Sequence, residues 1–140
     1  MDDVAIIDCI RETYPDADIL TAGSGTFFSL DPEKHWPNFA TLVTSDEYDS
    51  ASNLNRPGIY RLNIGVSKST FDRVVGSMAD PDYTALDKVL PHPVYAPQHW
   101  LSILNPSDAT FESTVKPLLD EAYERIARSR RPLAAAKPQA

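Results

Sequence analysis

Apolar residues recur at helical spacing in three parts of the chain, near residues 2–14, 67–78 and 107–128. Each part has one apolar face and one polar face, as helices that pack against a core do. The first begins with acidic residues and is followed by Pro15, which indicates a helix that ends there. In the third, Pro117 is expected either to kink the helix or to mark where its regular part begins.

Alternating apolar and polar residues predict strands between the first two helices, and one more strand before the third helix. The predicted strands are two in residues 18–30, around the turn Gly23-Ser24-Gly25, and one each in residues 39–44, 58–66 and 99–105. The order of elements is therefore α, β, β, β, β, α, β, α. This order predicts an α+β fold, an antiparallel sheet of four to five strands with helices packed on one face, as a two-layer sandwich.

The length of the chain predicts one globular domain followed by a short tail. A chain of 140 residues can bury a single core without disulfides or metals. We expect residues 1–127 to form the domain. Residues 128–140 are basic and contain few large apolar side chains, so we expect a disordered C-terminal tail. No feature of the sequence specifies an oligomeric state.

The charge is unevenly distributed and disfavours nucleic acid as a partner. Residues 1–124 contain 8 Lys and Arg against 20 Asp and Glu, a net charge of −12, whereas residues 125–140 contain 5 Lys and Arg and no acid. Affinity for phosphate backbones comes from neutralising them with cations, which an acidic domain cannot do. Basic residues near the end of the last helix also complement the helix dipole.

Composition also predicts where the protein resides. The chain begins with acids instead of a basic segment, and no apolar run approaches the length of a membrane helix. The single cysteine, Cys9, cannot form an internal disulfide and is typical of a reducing compartment. We therefore predict a cytoplasmic protein that does not bind membranes.

The three histidines all lie in two segments, each of which contains the dipeptide His-Trp. These are His35-Trp36 in EKHWPNF and His99-Trp100 in HPVYAPQHW, which also contains His92. A catalytic zinc site could be imagined from these histidines with Asp46 and Asp49, but their spacing matches no zinc motif. Glycine-rich phosphate loops and serine nucleophile elbows are not found either. The sequence therefore predicts no metal and no cofactor.

Arg61 is the most informative polar residue, because it lies among apolar neighbours in a predicted strand. An arginine in such a position needs a partner, since an unpaired charge in a low dielectric costs several kcal/mol. Either Asp46 or Asp49 pairs with the guanidinium, or the guanidinium binds an anionic ligand.

We expect the two His-Trp segments to meet at one end of the sheet, where their aromatic rings would form the walls of a ligand pocket around Arg61. A small polar or anionic ligand is the predicted partner. The predicted ligand-binding residues are His35, Trp36, Asn38, Asp49, Asn53, Arg61, His92, Tyr95, His99 and Trp100.

The alternative is a cofactor-free enzyme that uses the same pocket. In that hypothesis His99 is the general acid or base, Asp46 orients it, and Arg61 stabilises an oxyanion during elimination, isomerisation or cyclisation of a small metabolite. A third possibility, a DNA-binding or protein-interaction module, has less support in the sequence.

Three segments of the chain resemble the MmcQ/YjbR-like superfamily of small bacterial proteins. They are GIYRLNIGVSKSTFDRVV, YAPQHWLSIL and LLDEAYERIA, and the resemblance spans roughly residues 25–127. It implies a frataxin-like antiparallel sheet flanked by helices, and DNA binding. The acidic domain departs from DNA binding, because residues 67–78 offer only Lys68 and Arg73 as cations. The chain is also similar to a bacterial family known as a domain of unknown function, in which HWPNF and HPVYAPQHW recur together.

Overall fold

A computed structural model describes residues 1–130 and contains three helices where the apolar spacing predicted them. Helix α1 is Asp3–Thr13, with Asp2 as its N-cap, and α2 is Lys68–Val75, with Ser67 as its N-cap. Helix α3 consists of three consecutive segments, Asp108–Thr110, the π-helical turn Phe111–Val115, and Lys116–Arg130. Its regular α-helical part thus begins one residue before Pro117, one of the two outcomes that the proline predicted.

Among the described residues, six strands form one sheet, in which every neighbouring pair is antiparallel. They are β1 Asp18–Ala22, β2 Gly25–Ser29, β3 Asn38–Val43, β4 Arg61–Gly65, β5 Val89–Pro91 and β6 Trp100–Leu104. Their spatial order is β1-β2-β3-β4-β6-β5. The predicted α+β class with an antiparallel sheet is therefore confirmed, whereas the predicted count of four to five strands is too low. The additional strand, β5, has three residues and lies at an edge, where its terminal proline is tolerated.

The helices pack on one face of the sheet, as predicted. Alternate residues of the central strands face them, among them Phe28 of β2, Leu42 of β3 and Leu62 of β4. From the helices, Ile6 and Leu119 enter the same cluster of buried side chains. Burial of these apolar side chains, at about 25 cal/mol per Å², is the main force that holds the two layers together.

Within residues 1–130, no α-helix covers the opposite face of the sheet, whose borders include two connecting segments, residues 44–60 and 92–99. The longer segment is anchored by Leu54, which is buried against Val43 and Leu104. The central strands present polar and aromatic residues on this face, because side chains alternate along a strand. Two layers therefore leave one sheet face available for a site.

Helix α3 includes Arg130, the last described residue, so residues 128–130 are helical and not part of a disordered tail. Residues 131–140, the rest of the segment for which disorder was predicted, lie outside the described residues. Within residues 1–130, no helix is both long enough and apolar enough to cross a membrane.

Candidate functional site

A hollow of about 430 Å³ lies on the sheet face opposite the helices. Its floor comes from β2, β3, β4 and β6, and its walls come from the segments before β3, after β3 and after β5. The residues that line it are Phe27, Trp36, Asn38, Thr41, Val43, Tyr48, Asp49, Arg61, Asn63, His92, Val94, Tyr95 and Trp100. Its volume lies within the range typical of small-molecule sites, roughly 300–1,000 Å³.

The floor of the hollow contains a buried ion pair between Arg61 and Asp49. Arg61 is 1% exposed, and its Nη1 and Nη2 donate to the two carboxylate oxygens of Asp49 at 3.0 and 2.7 Å. Nη1 also donates to Ser52 Oγ at 2.9 Å, and Nε donates to Asn63 Oδ1 at 3.0 Å. Four of the five guanidinium N–H groups are thus used within the protein. Of the two acids considered for Arg61, Asp49 is the partner.

The ion pair leaves the floor without net charge. Hydrogen bonds from Arg61 hold the pKa of the Asp49 carboxyl below its ordinary value, so the carboxylate is ionised at neutral pH. Its negative charge balances the guanidinium directly beside it. The side chain of Asp49 is more exposed than that of Arg61, 15% against 2%. The hollow therefore offers an anion no unpaired cation.

His92 lies beside this pair as an uncharged hydrogen-bond donor. Its Nδ1 accepts the backbone N–H groups of Val94 and Tyr95 at 3.0 and 2.9 Å, which places the ring proton on Nε2. Burial, reinforced by the nearby charge of Arg61, lowers the pKa of His92 from 6.5 to about 4. Its Nε2 has no acceptor among residues 1–130.

Aromatic and apolar side chains form an exposed rim around the hollow. Trp36 is 67% exposed, Tyr95 54%, Val94 50% and Tyr48 46%. Single exposed apolar residues are common on protein surfaces, but a group that borders one concavity marks a binding site more often. The rim thus supplies flat apolar surfaces above a polar floor.

Both tryptophans reach the hollow directly after a turn that ends in a left-handed histidine. The histidine before each has a left-handed backbone conformation, with φ of 56° at His35 and 68° at His99. The first turn is closed by Asp31, whose carbonyl accepts the backbone N–H of His35 at 2.8 Å. In the second, the backbone N–H of His99 donates to the carbonyl of Ala96 at 2.9 Å. Histidine is one of the few non-glycine residues that adopt this conformation readily.

These turns separate the two histidines from the tryptophans that follow them. Nδ1 of His35 lies 2.7 Å from a carboxylate oxygen of Asp18, at the β1 edge of the sheet. The ring of His99 lies 5.7 Å from that of Phe71 in α2, on the helix side. The two indoles of the His-Trp segments therefore line one hollow, whereas the imidazoles of His35 and His99 do not.

Two further predicted residues, Asp46 and Asn53, also lie outside the hollow. Asp46 accepts the backbone N–H of Leu54 at 2.8 Å, and Asn53 has a φ of 51° and accepts Arg56 Nε through its carbonyl oxygen. Both stabilise the segment between β3 and β4. The catalytic arrangement of His99, Asp46 and Arg61 is thus not assembled. Seven predicted ligand-binding residues do line the hollow: Trp36, Asn38, Asp49, Arg61, His92, Tyr95 and Trp100.

Six lining residues were not among the predicted ligand-binding residues: Phe27, Thr41, Val43, Tyr48, Asn63 and Val94. Asn63 could have been found, because it lies two residues after Arg61 and so shares its sheet face. Its Nδ2 donates to Thr41 Oγ1 at 3.0 Å, which connects β4 to β3 across the floor. Within residues 1–130, no group of three or more His, Cys, Asp or Glu side chains is arranged to hold a metal ion.

Trp100 packs directly on the backbone of Gly65 in β4, and this contact sets the position of its indole. A Cβ atom at residue 65 would lie 2.9 Å from Trp100 Cε2, closer than packed carbon atoms approach. We expect Gly65→Ala to lower the free energy of unfolding by about 1–3 kcal/mol through overpacking. We also expect it to displace the indole, which changes the emission of Trp100 in a Trp36→Phe background.

Urea denaturation measures the stability change, and the same substitution in a Trp100→Leu background is the control. Without the indole, alanine at residue 65 should be neutral or slightly stabilising, because glycine is unfavourable within a strand. An equal loss of stability in both backgrounds would contradict the packing argument.

A family model described as a family of unknown function (DUF6194) matches residues 1–135. No curated protein and no solved structure matches this chain.

Proposed function

Since the chain belongs to the DUF6194 family, whose description assigns no activity, we propose a function from the hollow itself: the protein binds a small uncharged ring compound there. One observation supports this proposal most strongly: an exposed aromatic rim lies directly above a polar floor whose charges are paired. Aromatic side chains stack on flat rings, and a few polar groups then fix the orientation of the bound compound.

The ion pair favours an uncharged ligand over the anionic one that the sequence also allowed. An anion would have to compete with Asp49 for Arg61, and Asp49 already makes two hydrogen bonds to it. It would also approach a domain whose residues 1–124 carry a net charge of −12. An uncharged ring meets neither obstacle.

The other functions have weaker support. Acid–base catalysis by His99 and Asp46 gains nothing from the geometry, since neither residue borders the hollow. The acidic domain disfavours nucleic acid, and the rim surrounds a concavity, which a ligand fits better than a flat protein partner does.

We also propose a fold family and a cellular location for this protein. We propose an MmcQ/YjbR-like, frataxin-like arrangement, which the antiparallel sheet with helices on one face supports, although a sheet of six strands exceeds the number expected. We also propose a cytoplasmic location, which the lone free cysteine supports.

Three probes that share one ring and differ in charge test the proposed ligand class: benzamide, benzoate and benzamidinium. Trp36 and Trp100 are the two tryptophans of the chain and both line the hollow, so intrinsic fluorescence reports binding directly. We expect benzamide to bind at least about tenfold more tightly than benzoate, a difference of about 1.4 kcal/mol.

Matched variants locate the binding. Tyr95→Ala removes a rim ring and should weaken benzamide binding about tenfold or more, within the range of stacking energies found by alanine substitution. Tyr83→Ala removes a tyrosine that does not line the hollow and should leave binding unchanged. Tightest binding of benzoate, no binding of any probe, or equal effects of the two variants would overturn the proposal.

A further inference from the structure

His92 offers the hollow a single hydrogen-bond donor whose position is fixed by the backbone. We propose that this donor binds a carbonyl oxygen, so that the hollow selects ring compounds that carry an amide, a lactam or a similar carbonyl group. This inference rests on the proposed function and names the chemical group by which the ligand is recognised.

The turn after β5 determines which ring nitrogen of His92 carries the proton. Nδ1 accepts two backbone N–H groups, from Val94 at 3.0 Å and from Tyr95 at 2.9 Å, so it has no proton to donate and no free lone pair. The proton therefore resides on Nε2, which has no acceptor among the described residues. The imidazole is 4% exposed and lines the hollow, so a carbonyl oxygen of the occupant would supply the acceptor that Nε2 lacks.

The surroundings of His92 favour a neutral acceptor over a carboxylate. The charged groups next to it are Arg61 and Asp49, which are paired with each other. His92 itself is uncharged at neutral pH, because burial lowers the pKa of its imidazole. A carboxylate would therefore lose its hydration without gaining a countercharge. Transfer of a neutral carbonyl group out of water costs less free energy.

Asn38 adds a second recognition point on the same hollow. Its Oδ1 is buried and accepts no hydrogen bond from any described residue. An amide side chain carries both an acceptor and donors, and its terminal torsion is soft enough to turn its edge toward an occupant. The N–H of an amide or lactam would satisfy Oδ1 while the carbonyl of the same group binds His92.

The test compares three ring compounds of nearly equal shape by tryptophan fluorescence. Benzamide has the carbonyl and the N–H, acetophenone keeps only the carbonyl, and α-methylstyrene has neither. Each is titrated into wild-type protein, His92→Asn and Asn38→Leu. Asparagine at residue 92 can place its Oδ1 where Nδ1 accepts the two backbone N–H groups, so the turn is kept and the Nε2 donor is lost.

We expect the preference for acetophenone over α-methylstyrene to fall about tenfold in His92→Asn, as for the loss of one neutral hydrogen bond. The preference for benzamide over acetophenone should fall by a similar factor in Asn38→Leu. These ratios compare two ligands on one protein, so a general loss of affinity does not affect them.

An NMR measurement on the wild-type protein tests the same hydrogen bond without any substitution. The ¹⁵N resonance of His92 Nε2 should shift when acetophenone binds and should stay nearly unchanged with α-methylstyrene. If both compounds bind equally in wild type and His92→Asn, the carbonyl inference is overturned while ring binding stands. If no compound binds to the wild-type protein, the proposed function itself fails.

Discussion

Replacing Asp49 by alanine is expected to lower the free energy of unfolding by about 3–5 kcal/mol, the largest effect of any single substitution around the hollow. The side chain of Arg61 is 2% exposed, so its guanidinium cannot turn to water once its carboxylate partner is gone. A buried charge left without its partner carries most of its desolvation penalty uncompensated. Urea denaturation followed by circular dichroism measures the change.

Two further variants separate the charge from the loss of a side chain. Asp46→Ala removes an acid of the same connecting segment, whose side chain accepts one hydrogen bond from Leu54 and makes no ion pair within the described residues. This variant should cost only about 1 kcal/mol. The double variant Arg61→Met/Asp49→Leu removes both charges and should recover most of the stability, as apolar replacements of buried pairs often do. Equal losses of stability for Asp49→Ala and Asp46→Ala would contradict the argument that the ion pair stabilises the floor of the hollow.

Acidification from pH 6.5 to pH 4 is expected to remove about 3 kcal/mol of stability through His92 alone. Burial lowers the pKa of His92 from 6.5 to about 4, so in this window the unfolded chain binds a proton at this position and the folded protein does not. Protonation therefore favours the unfolded state. The contribution is fully present above pH 6.5 and is lost as the pH falls to about 4.

The measurement is the free energy of unfolding at closely spaced pH values, for wild-type protein and for His92→Asn. The difference between the two should change by about 3 kcal/mol across the window and then level off. Carboxyl groups with lowered pKa values, such as those of Asp49 and Asp31, act at lower pH because their ordinary values are near 3.8. Parallel pH profiles of the two proteins would show that His92 is not the group responsible.

Local sequence patterns predicted the elements of this fold, because helix and strand periodicity follow directly from which face is buried. The apolar spacing placed all three helices, and alternation placed five of the six strands. Strand β5 was missed because three residues that end in Pro91 are too short to alternate visibly. Strand β5 pairs with β6 because the connection through residues 92–99 reverses the direction of the chain. Local sequence patterns do not predict that reversal.

The site was predicted in part, for a different physical reason at each residue. Arg61 and its need for an acid followed from a charge in a strand, but the choice of Asp49 over Asp46 depends on the path of the connecting segment. His35 and His99 were grouped with their neighbouring tryptophans by adjacency alone. A left-handed turn directs the two side chains of such a pair to different places, and no spacing rule predicted it.

The left-handed histidines also bear on how this family should vary. Glycine and asparagine adopt the same backbone conformation, whereas β-branched residues such as valine do not. Positions 35 and 99 should therefore exchange among histidine, asparagine and glycine over evolution while the following tryptophan persists. Such exchange would record how the main chain must bend, and would leave the imidazoles at these positions without a chemical role.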